Sequence, residues 1–133
     1  MTETEQAKKK AKKISPTQRT LKLLRAVGMT CDITERWNQY AKVRQDLSGF
    51  IDVLAMSTKL GPMDTTSGLL GVQTTSGANH ASRRTKILSL PAAKQWVLLG
   101  NRIWVLSWSK TGAKGKKKLW TPRIETLQLG DFE

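Results

Sequence analysis

DLSGFIDVLAM, residues 46–56, and GLLGVQTTS, residues 68–76, are the stretches from which the fold can be read. Phe50, Ile51, Val53, Leu54, Ala55 and Met56 make a nearly continuous apolar run broken only by Asp52. That pattern predicts a strand over 50–56. A second run opens at Leu69 and turns polar at Gln73 and Thr75, predicting a strand over 69–75. Between them, 59–67 reads as a loop built on Gly61, Pro62 and Asp64. Antiparallel pairing of the two strands would bring Asp52 and Gln73 to one point, and would aim Gln73 and Thr75 at the same face. A buried carboxylate needs compensation. For Asp52 that is either a cation in an oxygen-lined site or an Arg or Lys partner at a sheet edge.

Working outward, Ser15-Pro16 supplies a helix cap and first helical residue, and Leu21, Leu24 and Val27 follow on one face before Gly28. Over 30–37, Cys31, Ile33, Glu35 and Trp37 share one strand parity, which would point Glu35 with the apolar set; a short helix over 33–40 is the alternative. Beyond the second strand, Ser76-Gly77-Ala78-Asn79 is a break, and 79–88 reads as a helix carrying Arg83, Arg84 and Lys86. Another helix opens at Pro91 with Ser89 as its cap, reaches Leu99 and stops at Gly100. Residues 102–108 (RIWVLSW) form a strand, 110–118 (KTGAKGKKK) a basic loop, and 119–127 a final strand. The expected fold is α/β (α+β), with a central mixed sheet flanked by helices. Residues 1–14 are expected to form a flexible basic tail and 15–133 a single domain.

The chain carries 23 Lys and Arg against 10 Asp and Glu, a formal charge of +13 over 133 residues. Such an excess suits a polyanionic partner, and DNA is the expected one, bound in a salt-dependent way. The single cysteine, Cys31, excludes an internal disulfide and fits a reducing compartment. With one histidine besides, His80, a structural zinc has too few ligands, and His80 reads as a solvated loop or helix-start residue. No apolar run has the length of a membrane span and no signal-peptide core is present, so a cytoplasmic protein with no membrane partner is expected.

Asp52, the Gln73 carbonyl, a backbone carbonyl and waters would make an all-oxygen site for magnesium or manganese, able to activate water against a phosphodiester. The run DLSGFIDVLAM, then GLLGVQTTS, then a basic helix, resembles the PD-(D/E)xK nuclease superfamily, and within it small phage-type Holliday junction resolvase-like nucleases. The resemblance spans residues 30–120. It implies a restriction-endonuclease-like core and a Mg2+- or Mn2+-dependent DNA endonuclease, cutting branched or junction DNA, working in the host cytoplasm if phage-encoded, and forming a homodimer if it makes paired cuts. Asp52 matches the motif aspartate and Gln73 the second acid, which is glutamine in some members. Glu35 stands where many members have a further metal-binding acid. Thr75 occupies the place of the motif lysine. Lys86 is the implied substitute, because some relatives carry that lysine on the following helix, with Lys110 second. Asp46 is a further candidate carboxylate, or else the residue that opens the Leu47-Ser48-Gly49 turn.

Arg102, Lys110, Lys114, Lys116, Lys117, Lys118 and Arg123 occur without an intervening acid, and Gly112 and Gly115 make that loop supple enough to follow a phosphate backbone. Trp104 and Trp108 share parity with Leu106 and are assigned to the core. Trp120 is a candidate for stacking on unpaired bases. Arg83 and Arg84 either approach DNA or form a solvated helix face. The rival reading of the whole chain is a non-catalytic basic nucleic-acid-binding protein.

Overall fold

The computed structural model of the chain describes residues 14–57 and 69–133; residues 1–13 of the expected 1–14 tail and the loop over 59–67 lie outside the described residues. Helix α1 (Pro16–Ala26) starts as the sequence implies, with Ser15 Oγ accepting from the Gln18 N–H at 3.2 Å and proline in the first turn. It ends before Gly28, whose φ of +90° suits glycine. Strands β1 (Met29–Ile33), β2 (Arg36–Asn38), β3 (Val43–Gln45), β4 (Val53–Ser57) and β5 (Leu70–Ser76) follow. A 3-10 turn (Gly77–Asn79) leads into α2 (His80–Leu88) and α3 (Pro91–Leu98), then β6 (Arg102–Thr111), β7 (Leu119–Leu127) and a last 3-10 turn (Leu129–Phe132).

The main sheet has the order β1-β4-β5-β6-β7. Every pairing is antiparallel except β5 with β6, whose parallel register is reached through the α2–α3 crossover. Strands β2 and β3 form a separate two-stranded hairpin. One face of the sheet is covered by α1, with Leu21 and Leu24 packed among Cys31, Val53, Ala55, Leu70, Val72, Leu106 and Trp108. The other is covered by α2 and α3, with Ile87 and Ala93 against Phe50, Ile51, Ile103, Val105 and Leu127. This is a mixed α/β fold, a central mixed sheet between helices. Among the described residues no helix is long and apolar enough to cross a membrane.

Several local expectations change. The strand expected over 50–56 begins only at Val53, because Phe50 and Ile51 are both fully buried against the α2–α3 layer instead of alternating between faces. Asp52 therefore sits in the bend before β4. The 30–37 segment is neither one strand nor a helix: β1 stops at Ile33, and of the shared-parity set only Cys31 goes into the core. Helix α3 takes Leu90 as its cap residue without a side-chain bond, while Ser89 Oγ donates instead to the Lys86 carbonyl at 2.6 Å. Lys110 belongs to β6 rather than to the loop. Trp104 and Trp108 do pack on the α1 layer, where Trp108 Nε1 donates to Thr20 Oγ1 at 3.0 Å.

Candidate active site

The connection from β1 to β4 is a long excursion out of the sheet, and it carries three acids. Glu35 stands where the chain leaves, Asp46 where it returns from the β2–β3 hairpin, and Asp52 just before β4 resumes the ladder. The return is made tight by Ser48 (φ +55°) and Gly49 (φ +85°), with the Ile51 N–H donating to the Leu47 carbonyl at 3.0 Å. The buried pair Phe50 and Ile51 anchors this turn in the core, so Asp46 and Asp52 face each other across it. One carboxylate oxygen from each of Glu35, Asp46 and Asp52 lies within 4.8 Å of the others.

Strand β5 contributes the neutral side of the site. The antiparallel pairing of β4 and β5 sets the Asp52 N–H on the Val72 carbonyl at 2.9 Å and brings Gln73 alongside, as the two apolar runs imply. Gln73 Nε2 donates to Asp52 Oδ2 at 2.5 Å and to Asp46 Oδ2 at 3.4 Å, and the Thr74 N–H donates to the same Asp52 oxygen at 2.9 Å. Gln73 is 2% exposed, and its Oε1 is buried with no hydrogen-bond partner among the described residues. Asp52 is 4% exposed and has no Arg or Lys partner there. Burial and the bond shared with Asp46 outweigh the Thr74 N–H, and its carboxyl is pushed up to about 8 from 3.8. Among the described residues, the ion pair that was the alternative for Asp52 does not form.

The cleft around these groups has a volume of about 800 Å3. Lys86 and Arg83 line it from α2, with Lys86 Nζ 4.0 Å from Asp46 Oδ2, and Arg36 and Arg44 line it from the hairpin, with Arg44 donating to Glu35 at 3.3 Å. Of the residues assigned from sequence, Asp52, Gln73, Glu35, Lys86 and Arg83 thus meet in one place, and Asp46 joins them. Thr75 does not line the cleft; it is buried on β5 opposite Ser107. Lys110, near the end of β6 and about 17 Å from the level of Gln73 at the usual strand rise, and Lys114, Lys116, Lys117 and Lys118, in the loop beyond that strand, are exposed. Trp120 lies there too, with the Arg19 guanidinium 4.2 Å and Lys110 Nζ 5.4 Å from its ring centre.

Arg84 faces away from the cleft. It donates to Glu125 at 2.6 Å and to Asp131 at 3.3 Å, so it is neither a free helix face nor part of the cleft's basic rim. His80 is a helix-start residue, as expected, but is 1% exposed rather than solvated; it bonds Ser107 Oγ at 2.7 Å and Glu125 at 2.9 Å. Burial raises the Glu125 carboxyl, but Arg84 and His80 outweigh that and hold it below the usual range. The network pins α2 to β6 and β7, and the signal for it in the sequence was Glu125, an acid within a basic stretch. The chain matches no family model, no curated protein and no solved structure.

Proposed function

We propose that this protein is a metal-dependent DNA endonuclease. The observation that carries the reading is Asp52: a buried carboxylate beside two further acids, where among the described residues neither a cation pairs with Asp52 nor a donor with the Gln73 carbonyl. A donor set made only of oxygens fits a hard divalent cation such as Mg2+ or Mn2+. Asp52, Asp46, Glu35 and the Gln73 carbonyl would hold it, and when bound it would supply Lewis-acid stabilisation of charge developing on a phosphate. Thr74 fixes Asp52 through its backbone N–H, and Gln73 ties Asp52 to Asp46. Lys86, which lines the cleft, would steady the attacking water or the charge of the transition state, and Arg83, Arg36 and Arg44, which line it too, would grip the flanking phosphates. The resemblance to the PD-(D/E)xK superfamily supports the same roles for Asp52, Gln73, Glu35 and Lys86. On its strength the substrate extends to branched or junction DNA, with a two-fold dimer for paired cuts and the cytoplasm as the place of action.

The test is cleavage of linear, nicked and branched DNA in Mg2+, Mn2+ or EDTA. Cleavage is expected with either metal and not in EDTA, and Asp52→Asn should abolish it while DNA binding persists. A folded Asp52→Asn protein cutting at the wild-type rate would remove the basis of the proposal. A wild-type protein that binds all three DNAs and cuts none would favour the non-catalytic reading.

A further inference from the structure

The β2–β3 hairpin is too small to have a core, yet it carries two large aromatic side chains in solvent: Trp37 is 58% exposed and Tyr40 is 93% exposed. Its tip is held in one shape. Asn38 Oδ1 accepts from the N–H groups of Tyr40 and Ala41 at 2.9 and 3.0 Å, and Asn38 Nδ2 donates to Gln45 at 3.2 Å. Trp37 and Tyr40 line a depression of about 360 Å3, and Arg36 and Gln45 line both that depression and the cleft holding the three acids. The two hollows therefore adjoin each other along Arg36 and Gln45.

We infer that the hairpin binds unpaired nucleobases by stacking on Trp37 and Tyr40, so that the preferred substrate has single-stranded bases next to the phosphate presented to the cleft. This rests on the endonuclease reading for the role of the cleft, but not for the binding itself. Rigidly presented aromatic faces beside cations are what sequence-tolerant recognition of single strands requires, because every base offers a π-face and every linkage a charge. Arg36, Lys42 and Arg44 supply that charge. The hairpin's surroundings argue against a second copy of the chain as occupant: Glu35, the acid at its base, is already paired with Arg44, and two such hairpins would bring like charges together. A fully paired helix keeps its base faces stacked internally and offers nothing to Trp37 or Tyr40.

The test uses the full chain in EDTA, so that no cutting occurs. Binding is read from the fluorescence of 2-aminopurine in a duplex with a short single-stranded gap, against the same duplex fully paired. The gapped DNA should bind more tightly, and the doubly substituted Trp37→Ala, Tyr40→Ala protein should lose affinity for it by about 25-fold or more, about 5-fold for each ring, with duplex affinity unchanged. Trp37→Phe and Tyr40→Phe should keep most of the preference. Equal wild-type affinity for the two DNAs, or an equal loss on both in the alanine protein, would overturn the inference. So would a shift from dimer to monomer on sedimentation of the alanine protein, which would identify the hairpin as a protein interface. Absence of cleavage would defeat the endonuclease proposal while leaving a preference for gapped DNA intact.

Discussion

Replacing Asp52 by Asn should make the metal-free protein more stable, and the sign separates a metal-binding carboxylate from a structural one. The Asp52 carboxyl is raised from 3.8 to about 8 in the fold. A raised carboxyl favours the folded state fully only below its unfolded value, and that contribution is lost as pH rises toward 8. At about 1.4 kcal/mol per unit, the fold gives up about 4 kcal/mol at pH 7 and about 6 kcal/mol above pH 8. An uncharged amide at this position avoids the cost with little lost bonding. Gln73 Nε2 and the Thr74 N–H both donate to the one oxygen Oδ2, which an amide can reproduce, leaving its NH2 to face Asp46. Allowing for water in the cleft, Asp52→Asn should gain about 2–4 kcal/mol at pH 7 in EDTA, a Tm rise of roughly 10 °C. Urea unfolding at pH 5, 7 and 9 measures this, and the gain should grow with pH. Magnesium at about 100 times its Kd should stabilise the wild type by about 2.7 kcal/mol and leave the variant unmoved. A variant less stable than wild type at pH 9 in EDTA would refute the reasoning, because it would mean that the charge of Asp52 is satisfied by a cation of the protein.

Lys86→Ala should lower single-turnover cleavage by about 100-fold or more with little change in DNA affinity in EDTA, whereas Lys110→Ala should leave the cleavage step untouched; the reverse result would move the role to Lys110. Neutralising Lys116, Lys117 and Lys118 together should make DNA affinity less steeply dependent on salt, the slope falling by about 0.9 for each phosphate that is no longer neutralised, measured by titration at several salt concentrations. Glu125→Gln should destabilise the protein by about 1–3 kcal/mol at pH 7 by removing the negative charge and one of the two acceptor oxygens that serve Arg84 and His80. Because Glu125 is held low in the fold, its contribution is present above its unfolded value, near 4.5, and is lost as pH falls through its folded one, so the difference should fade in acid. An undiminished difference there would show that the carboxylate charge is not what matters.

The sheet and its helices were legible because their signals are local. Apolar runs marked β5 and β6, Pro91 and Gly100 bracketed α3, and antiparallel pairing of two runs was enough to foresee that Asp52 meets Gln73. What escaped depends on contacts distant in the chain. Asp46 could not be separated from a turn residue, since its role follows from Phe50 and Ile51 burying themselves and folding the segment back. Arg84 and Arg83 are neighbours in sequence, but the strand carrying Glu125 decides that only Arg83 looks into the cleft. The hairpin was hidden by the parity of Cys31, Ile33, Glu35 and Trp37, which suggests one continuous strand and gives no hint that the ladder ends at Ile33.

The excursion between β1 and β4 has two fixed ends and a free middle. Glu35 and Asp46 are held where the chain leaves and rejoins the body of the protein, one beside the Thr34 N–H bonded to the Asp52 carbonyl, the other by the turn that Phe50 and Ile51 anchor. The β2–β3 hairpin between them contributes nothing to either core. Exchanging only the tip, residues 37–43, keeps Arg36 and the Arg44 partner of Glu35 in the cleft, so under the endonuclease proposal selectivity is free to diverge while the acids stay in place. Tips of altered sequence, grafted between Arg36 and Arg44, are therefore interchangeable parts for redirecting selectivity without rebuilding the cleft.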